Sequence, residues 1–228
     1  MKSLKVLYNP QNVYEEISVN NSWGLDYIFL SLLLVSIAIL MIPINEQILQ
    51  NHEIMKSFSS VQIDMINSMQ KKIKYLATIS EPISLLIRSL CFSSLLYIGV
   101  LLFKYKVKFG ELFCLVVISY SIVILSKVVN LIIFYFKGYE SVVSMFDVNP
   151  ISLSTFFSVN GIGVPLYNFF SVINVFQVWF IIIIIYGVAN IVKITKKKAS
   201  IIVISSWIII TLFNVFRATT SYDLMQHS

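Results

Sequence analysis

Two basic side chains stand inside runs of apolar residues, Arg88 in ISLLIRSLCF and Lys127 in VILSKVVNLI. A cation in such surroundings binds an anionic group, takes part in an ion or proton path, or reaches along its own stem to the nearest polar surface. Arg88 lies close enough to the edge of its run to snorkel, and a pocket for an anionic group is its other reading. Lys127 has polar company. At helical spacing Ser119, Tyr120, Ser126, Lys127 and Asn130 share about a third of the circumference, forming one polar stripe. Further along the chain, Asn168, Ser171, Asn174 and Gln177, and then Trp207, Thr211 and Asn214, carry groups that can meet it. Such a stripe either hydrogen-bonds helix to helix or lines a polar path or head-group pocket. No acidic residue falls deep in an apolar run, so Lys127 is expected to lack a buried counter-ion.

Catalytic chemistry is not indicated. The two histidines, His52 and His227, sit in a polar stretch and near the C-terminus, away from the stripe. There is no HExxH, no GxSxG and no glycine-rich phosphate loop. The Glu15-Glu16 pair is similar to the EExxxR opening of some membrane proteases but lacks the arginine. The expectation is a protein without catalytic residues, metal or cofactor. Cys91 and Cys114 both lie in apolar runs, where a thiol behaves as a small hydrophobe.

The elements that must hold these residues follow from composition. Of 228 residues, 57% are hydrophobic and 12% charged, against roughly 25% charged in a soluble domain. Too few charges remain to solvate a globule of this size, so the solvent is lipid. A helix crosses a bilayer core with about 20 apolar residues. Five runs meet that length or nearly so: 25–44, 83–103, 112–136, 172–192 and 199–216. Runs this long without alternation are helices even where isoleucines dominate, because lipid admits only helices and closed barrels. The fold class is therefore all-α, a polytopic bundle of five transmembrane helices in one membrane domain, 25–218. A cytoplasmic segment, 1–24, precedes it and a short polar tail, 219–228, follows.

The net charge of +6 does not point to nucleic acid, because the lysines cluster beside apolar runs. Five spans place Lys2, Lys5, the Lys104, Lys106, Lys108 turn and the Lys193, Lys196, Lys197, Lys198 turn on one side. These nine face six basic residues on the other side, which also holds most of the acids. Positive charge in short loops marks the cytoplasm, so the N-terminus is cytoplasmic and the C-terminus outside. The lysines of the two turns either anchor topology or form a patch for lipid head groups or a partner. Between the first two spans, 45–82 carries an apolar helical stripe with a Ser59–Gln62 capping pattern. It reads as an amphipathic outer element, or as a Met-rich partner groove. The connection 137–165, with NPIS and NGIGVP turn signals, is expected to be broken and partly re-entrant.

The C-terminal third carries a resemblance. Asn174, Phe176 and Trp179 lead into a span containing Gly187, followed by Lys196, Lys197 and Lys198, then Ala199 and Trp207. This order resembles the closing hairpin of the YIP family, the Ypt/Rab-interacting protein domain. NPQNVYEEI, SVQIDMINSMQ and FGELFCLVVISYSIVIL are similar to other parts of that family, the second to an insert of bacterial members. The DLxGP and GYxxxP motifs of eukaryotic members are not present in full. The resemblance implies the five-span fold, the prokaryotic branch, and location in the bacterial cytoplasmic (inner) membrane.

The resulting expectation is a non-enzymatic multi-pass membrane protein acting by helix–helix, lipid or partner association. Membrane lipids, further copies of the chain or other membrane proteins are the partners, and nucleic acid is not. The competing reading is a small transporter or channel with a polar path along the third span. The orientation is open to direct test: a reporter fused after Ser228 is expected to be active only outside, and one fused before Met1 only in the cytosol.

Overall fold

A computed structural model describes residues 1–51, 60–137 and 151–226. Among them the chain is helical apart from turns and one isolated bridge between Ser152 and Asn174. The helices are α1 (Lys2–Lys5), α2 (Pro10–Val19), α3 (Gly24–Asn51), α4 (Ser60–Leu102) and α5 (Phe109–Lys137), then α6 (Val159–Ile162), α7 (Val164–Val172), α8 (Val175–Val192) and α9 (Lys196–Gln226). Five contain stretches long and apolar enough to cross a membrane: Gly24–Pro43, Thr78–Leu102, Phe109–Phe136, Val175–Val192 and Lys196–Arg217.

The bundle is organised around α5. Every residue from Leu112 to Ser119 is buried, two full turns with no exposed side. A helix that is apolar all round belongs inside, and α5 accordingly packs against α3, α4 and α8 as well as the short α1 and α2. In lipid no water drives helices together, so contact depends on close packing and small residues at crossings. Gly187 supplies this where α8 meets α5. A Cβ there would lie 2.5 Å from Cδ1 and 2.7 Å from Cδ2 of Leu115. Gly99 does the same for α4 and α9, with Ile202 Cγ2 at 2.7 Å from its Cβ position.

Two expectations gain detail. The described parts of 45–82 prolong the first two spans: α3 continues to Asn51, and α4 begins at Ser60 and runs unbroken into its span. Pro82 is carried inside α4, and its carbonyl accepts a hydrogen bond from the Tyr27 hydroxyl at 2.9 Å. This bond ties α3 to α4 beside the proline. His52 and the Ser59–Gln62 cap lie outside the described residues, as do the side chains of the Met-rich stripe. The fourth span also starts later. The expected continuous run from Val172 breaks at Ile173, and Asn174 starts α8 afresh by accepting from the Gln177 N–H at 2.9 Å. The preceding connection folds back onto this break, with Leu153 N–H donating to the Ile173 carbonyl at 2.9 Å.

The Gly187 crossing makes a quantitative prediction. Gly187→Ala is expected to destabilise the bundle by about 1–3 kcal/mol through overpacking. Thermal unfolding in detergent should show a smaller cost for the same change once Leu115→Ala has opened the site.

Candidate functional site

The N-terminal segment is built into the bundle. Asn9 caps α2 by accepting from the Asn12 N–H at 3.5 Å, and Pro10 occupies the first helical position, where its missing N–H costs nothing. The apolar face so formed buries Val13, Tyr14 and Ile17 against α5 and α8. The Tyr14 hydroxyl donates to the Ile183 carbonyl of α8 at 2.9 Å. Burial pushes the phenol's pKa upward. Two polar ties hold the segment from the other side. Asp26, buried at the start of α3, accepts from the Ser3 N–H at 2.8 Å and the Ser3 hydroxyl at 2.7 Å. Lys5 and Glu16 form an ion pair at 2.7 Å. Their hydrogen bond holds Lys5 above its ordinary 10.5 and Glu16 below its ordinary 4.5. None of these ties stood out in the sequence, because each links residues that share no short motif.

The same end of the bundle carries the two lysine turns. Each begins with a lysine in the left-handed region that closes a helix, Lys104 at φ 61° after α4 and Lys193 at φ 57° after α8. Tyr105 N–H returns to the Val100 carbonyl and Ile194 N–H to the Ala189 carbonyl, the 6→1 closure of a helix C-terminus. Glycine is usual here, and a residue with a Cβ costs roughly 1 kcal/mol more. The turns are joined to one another. Lys198 Nζ donates to the Tyr105 hydroxyl at 2.7 Å and stands 5.1 Å from the ring centroid, so it meets the ring at its edge. Lys196 Nζ lies over the Tyr186 face at 4.3 Å from the centroid. Lys104, Lys106, Lys108, Lys193 and Lys197 are exposed, and none forms an ion pair among the described residues.

The polar stripe is less uniform than its spacing suggests. Ser119 is fully buried and returns its hydroxyl to the Leu115 carbonyl of its own helix at 2.7 Å. Tyr120 meets the α8 ring of Phe180 at 5.3 Å. Ser126 and Thr211 are buried, Asn130 and Gln177 half-buried, and Asn214 exposed on α9. Asn174 turns to its own helix as the α8 cap. Arg88 is exposed on α4.

Lys127 has a partly exposed partner that the sequence did not single out. Its Nζ lies 3.3 Å from Glu81 Oε2 and 3.4 Å from Oε1. The sequence put Glu81 in a loop. The unbroken α4 carries it past Pro82 into reach of α5. Both side chains are partly exposed, 36% for Lys127 and 27% for Glu81. Among the described residues, no three His, Cys, Asp or Glu side chains come together to hold a metal.

Comparison with known families decides the relationship. A family model described as Yip1 domain matches residues 4–216. The chain belongs to the Yip1 domain family. No curated protein and no solved structure matches it. The match begins within α1, so it takes in the docked N-terminal segment as well as the spans. Within this Yip1 domain the apolar and small positions that carried the resemblance share one core. Gly187 and Ala199 are buried in the α5–α8–α9 contact, while Phe176, Trp179 and Trp207 pack on the same cluster.

The Lys127–Glu81 pair can be tested as a unit. Lys127→Met and Glu81→Gln are each expected to lower stability in detergent, and the double variant to lose less than their sum. The coupling should be about 1 kcal/mol, as for contacting pairs, measured by thermal unfolding of the three variants.

Proposed function

We propose that this Yip1 domain is a non-enzymatic membrane protein that acts by association, through its helices and through lipid or partner contacts at the lysine turns. The observation that carries this reading is the distribution of polar groups. Inside the bundle several of them close on the protein itself, Ser93 on the Ser89 carbonyl, Ser119 on Leu115, Ser206 on Ile202 and Lys127 on Glu81. The hydroxyls of Ser31, Ser89 and Ser121 are buried without a partner among the described residues. Exposed lysines gather instead in the two turns at one end, while Arg88 and Arg217 are exposed elsewhere on α4 and α9. With the lysine end in the cytoplasm, these turns lie at the level of lipid head groups in the bacterial inner membrane. Each lysine near an anionic surface contributes about 1 kcal/mol of attraction.

A small transporter is the second reading, and one observation favours it. The chain breaks between α7 and the fourth span at Ile173–Asn174, broken helices being a feature of transporter folds, and an ion pair lies within the neighbouring spans. Flux of ions and small solutes into proteoliposomes separates the two. Wild type and Lys127→Met are both expected to be silent, while the wild type, passed from detergent into native mass spectrometry, retains lipid or further copies. A flux that Lys127→Met abolishes, or a bare monomer stripped of lipid, would overturn the association reading.

A further inference from the structure

The two lysine turns differ in a way that composition alone conceals. Lys198 and Lys196 are held by tyrosines of the chain, the first by the Tyr105 hydroxyl on the other turn and the second by the Tyr186 ring on α8. The remaining five lysines of the turns are exposed and outside any described ion pair. Two of these five, Lys104 and Lys193, occupy left-handed positions that glycine would fill with less strain. A side chain kept at a strained position contributes something that the turn itself does not need. That holds at both turns, and in both cases the contribution is a cation. Opposing charge is sparse here. Glu16 is paired with Lys5 and Asp26 is buried against Ser3, while Glu111 follows the first turn on α5.

We propose that the Tyr105–Lys198 bond joins the two turns into one preformed face for the phosphate groups of anionic phospholipids. Lys104 and Lys193 are its fixed cations, and Lys106, Lys108 and Lys197 complete it. Lys198 is a positioning residue. The occupant is lipid because the face sits at the ends of membrane-crossing helices, where head groups are already the densest anions. Tyrosines beside the lysines match the same layer, since aromatic rings with a polar tip settle at the membrane interface. This inference rests on the association reading above and narrows it to one face and one ligand class.

The experiment uses full-length protein in nanodiscs of phosphatidylcholine with graded phosphatidylglycerol. Spin-labelled phosphatidylglycerol and phosphatidylcholine report relative association, and thermal unfolding is recorded in the same discs. Wild type is expected to prefer phosphatidylglycerol. Lys104→Gly and Lys193→Gly should each lower that preference about fivefold, the equivalent of one surface lysine, with thermal stability unchanged or raised. Tyr105→Phe removes no charge, yet is expected to lower the preference about twofold or more by uncoupling the turns. Should that variant fail to fold, Lys198→Gln breaks the same bond, and its drop should exceed that of a single charge. If the lysine variants lose preference but Tyr105→Phe does not, the lysines act separately: the joined face is refuted while association stands. Equal uptake of both lipids by wild type refutes the lipid assignment. Should such a wild type capture a soluble polyglutamate peptide, the face belongs to an acidic protein partner.

Discussion

Enclosure of one helix by the rest of the bundle is the constraint on which the structure depends. Over the two turns from Leu112 to Ser119, α5 presents no surface to its surroundings. In water such a helix would be held by the hydrophobic effect. In lipid that force vanishes between helices, and the contacts must come from shape. Gly187 against Leu115 and Gly99 against Ile202 are where shape decides, because each lets one helix approach another to a distance that a methyl group would prevent. The N-terminal segment fills the side of α5 that the spans leave open, with Val13, Tyr14 and Ile17 completing the enclosure.

Enclosure also explains how polar groups are disposed. A hydroxyl inside a helical bundle without water has its own backbone as the nearest acceptor, and Ser93, Ser119 and Ser206 use it. Lys127 cannot, since an ammonium needs an opposite charge or a way out. The helix carrying Glu81 extends past Pro82 and supplies the opposite charge. Exposed lysines stand at one end of the bundle. They occupy the two turns, and their geometry is specific: two lysines in left-handed caps, and a third bonded across to the neighbouring turn.

Membership of the Yip1 domain family agrees with this distribution of roles. Five of the residues that made the closing hairpin recognisable are packing residues. Gly187 and Ala199 are small because helices cross there, and Phe176, Trp179 and Trp207 fill the volume around them. They define a fold and say little about a ligand. Side chains that meet across long separations in sequence lie instead in the turns and the N-terminal segment.

The sequence alone was enough for the all-helical class, the five apolar spans and the family. These are properties of composition and of runs longer than a bilayer is thick, and lipid leaves such runs one backbone solution. It was also enough to single out Lys127 as a charge needing explanation. It was not enough for Glu81, because the partner sits beyond a proline that ends helices in water and is tolerated inside this bundle. Nor did it reveal the break before Asn174, where a side chain that spacing assigned to a polar stripe caps its own helix. The Ser3–Asp26, Tyr14–Ile183 and Tyr105–Lys198 contacts were equally hidden. Periodicity reports which face of a helix is apolar; which two helices then touch, and at what height, is decided only when all of them compete for the same central surface.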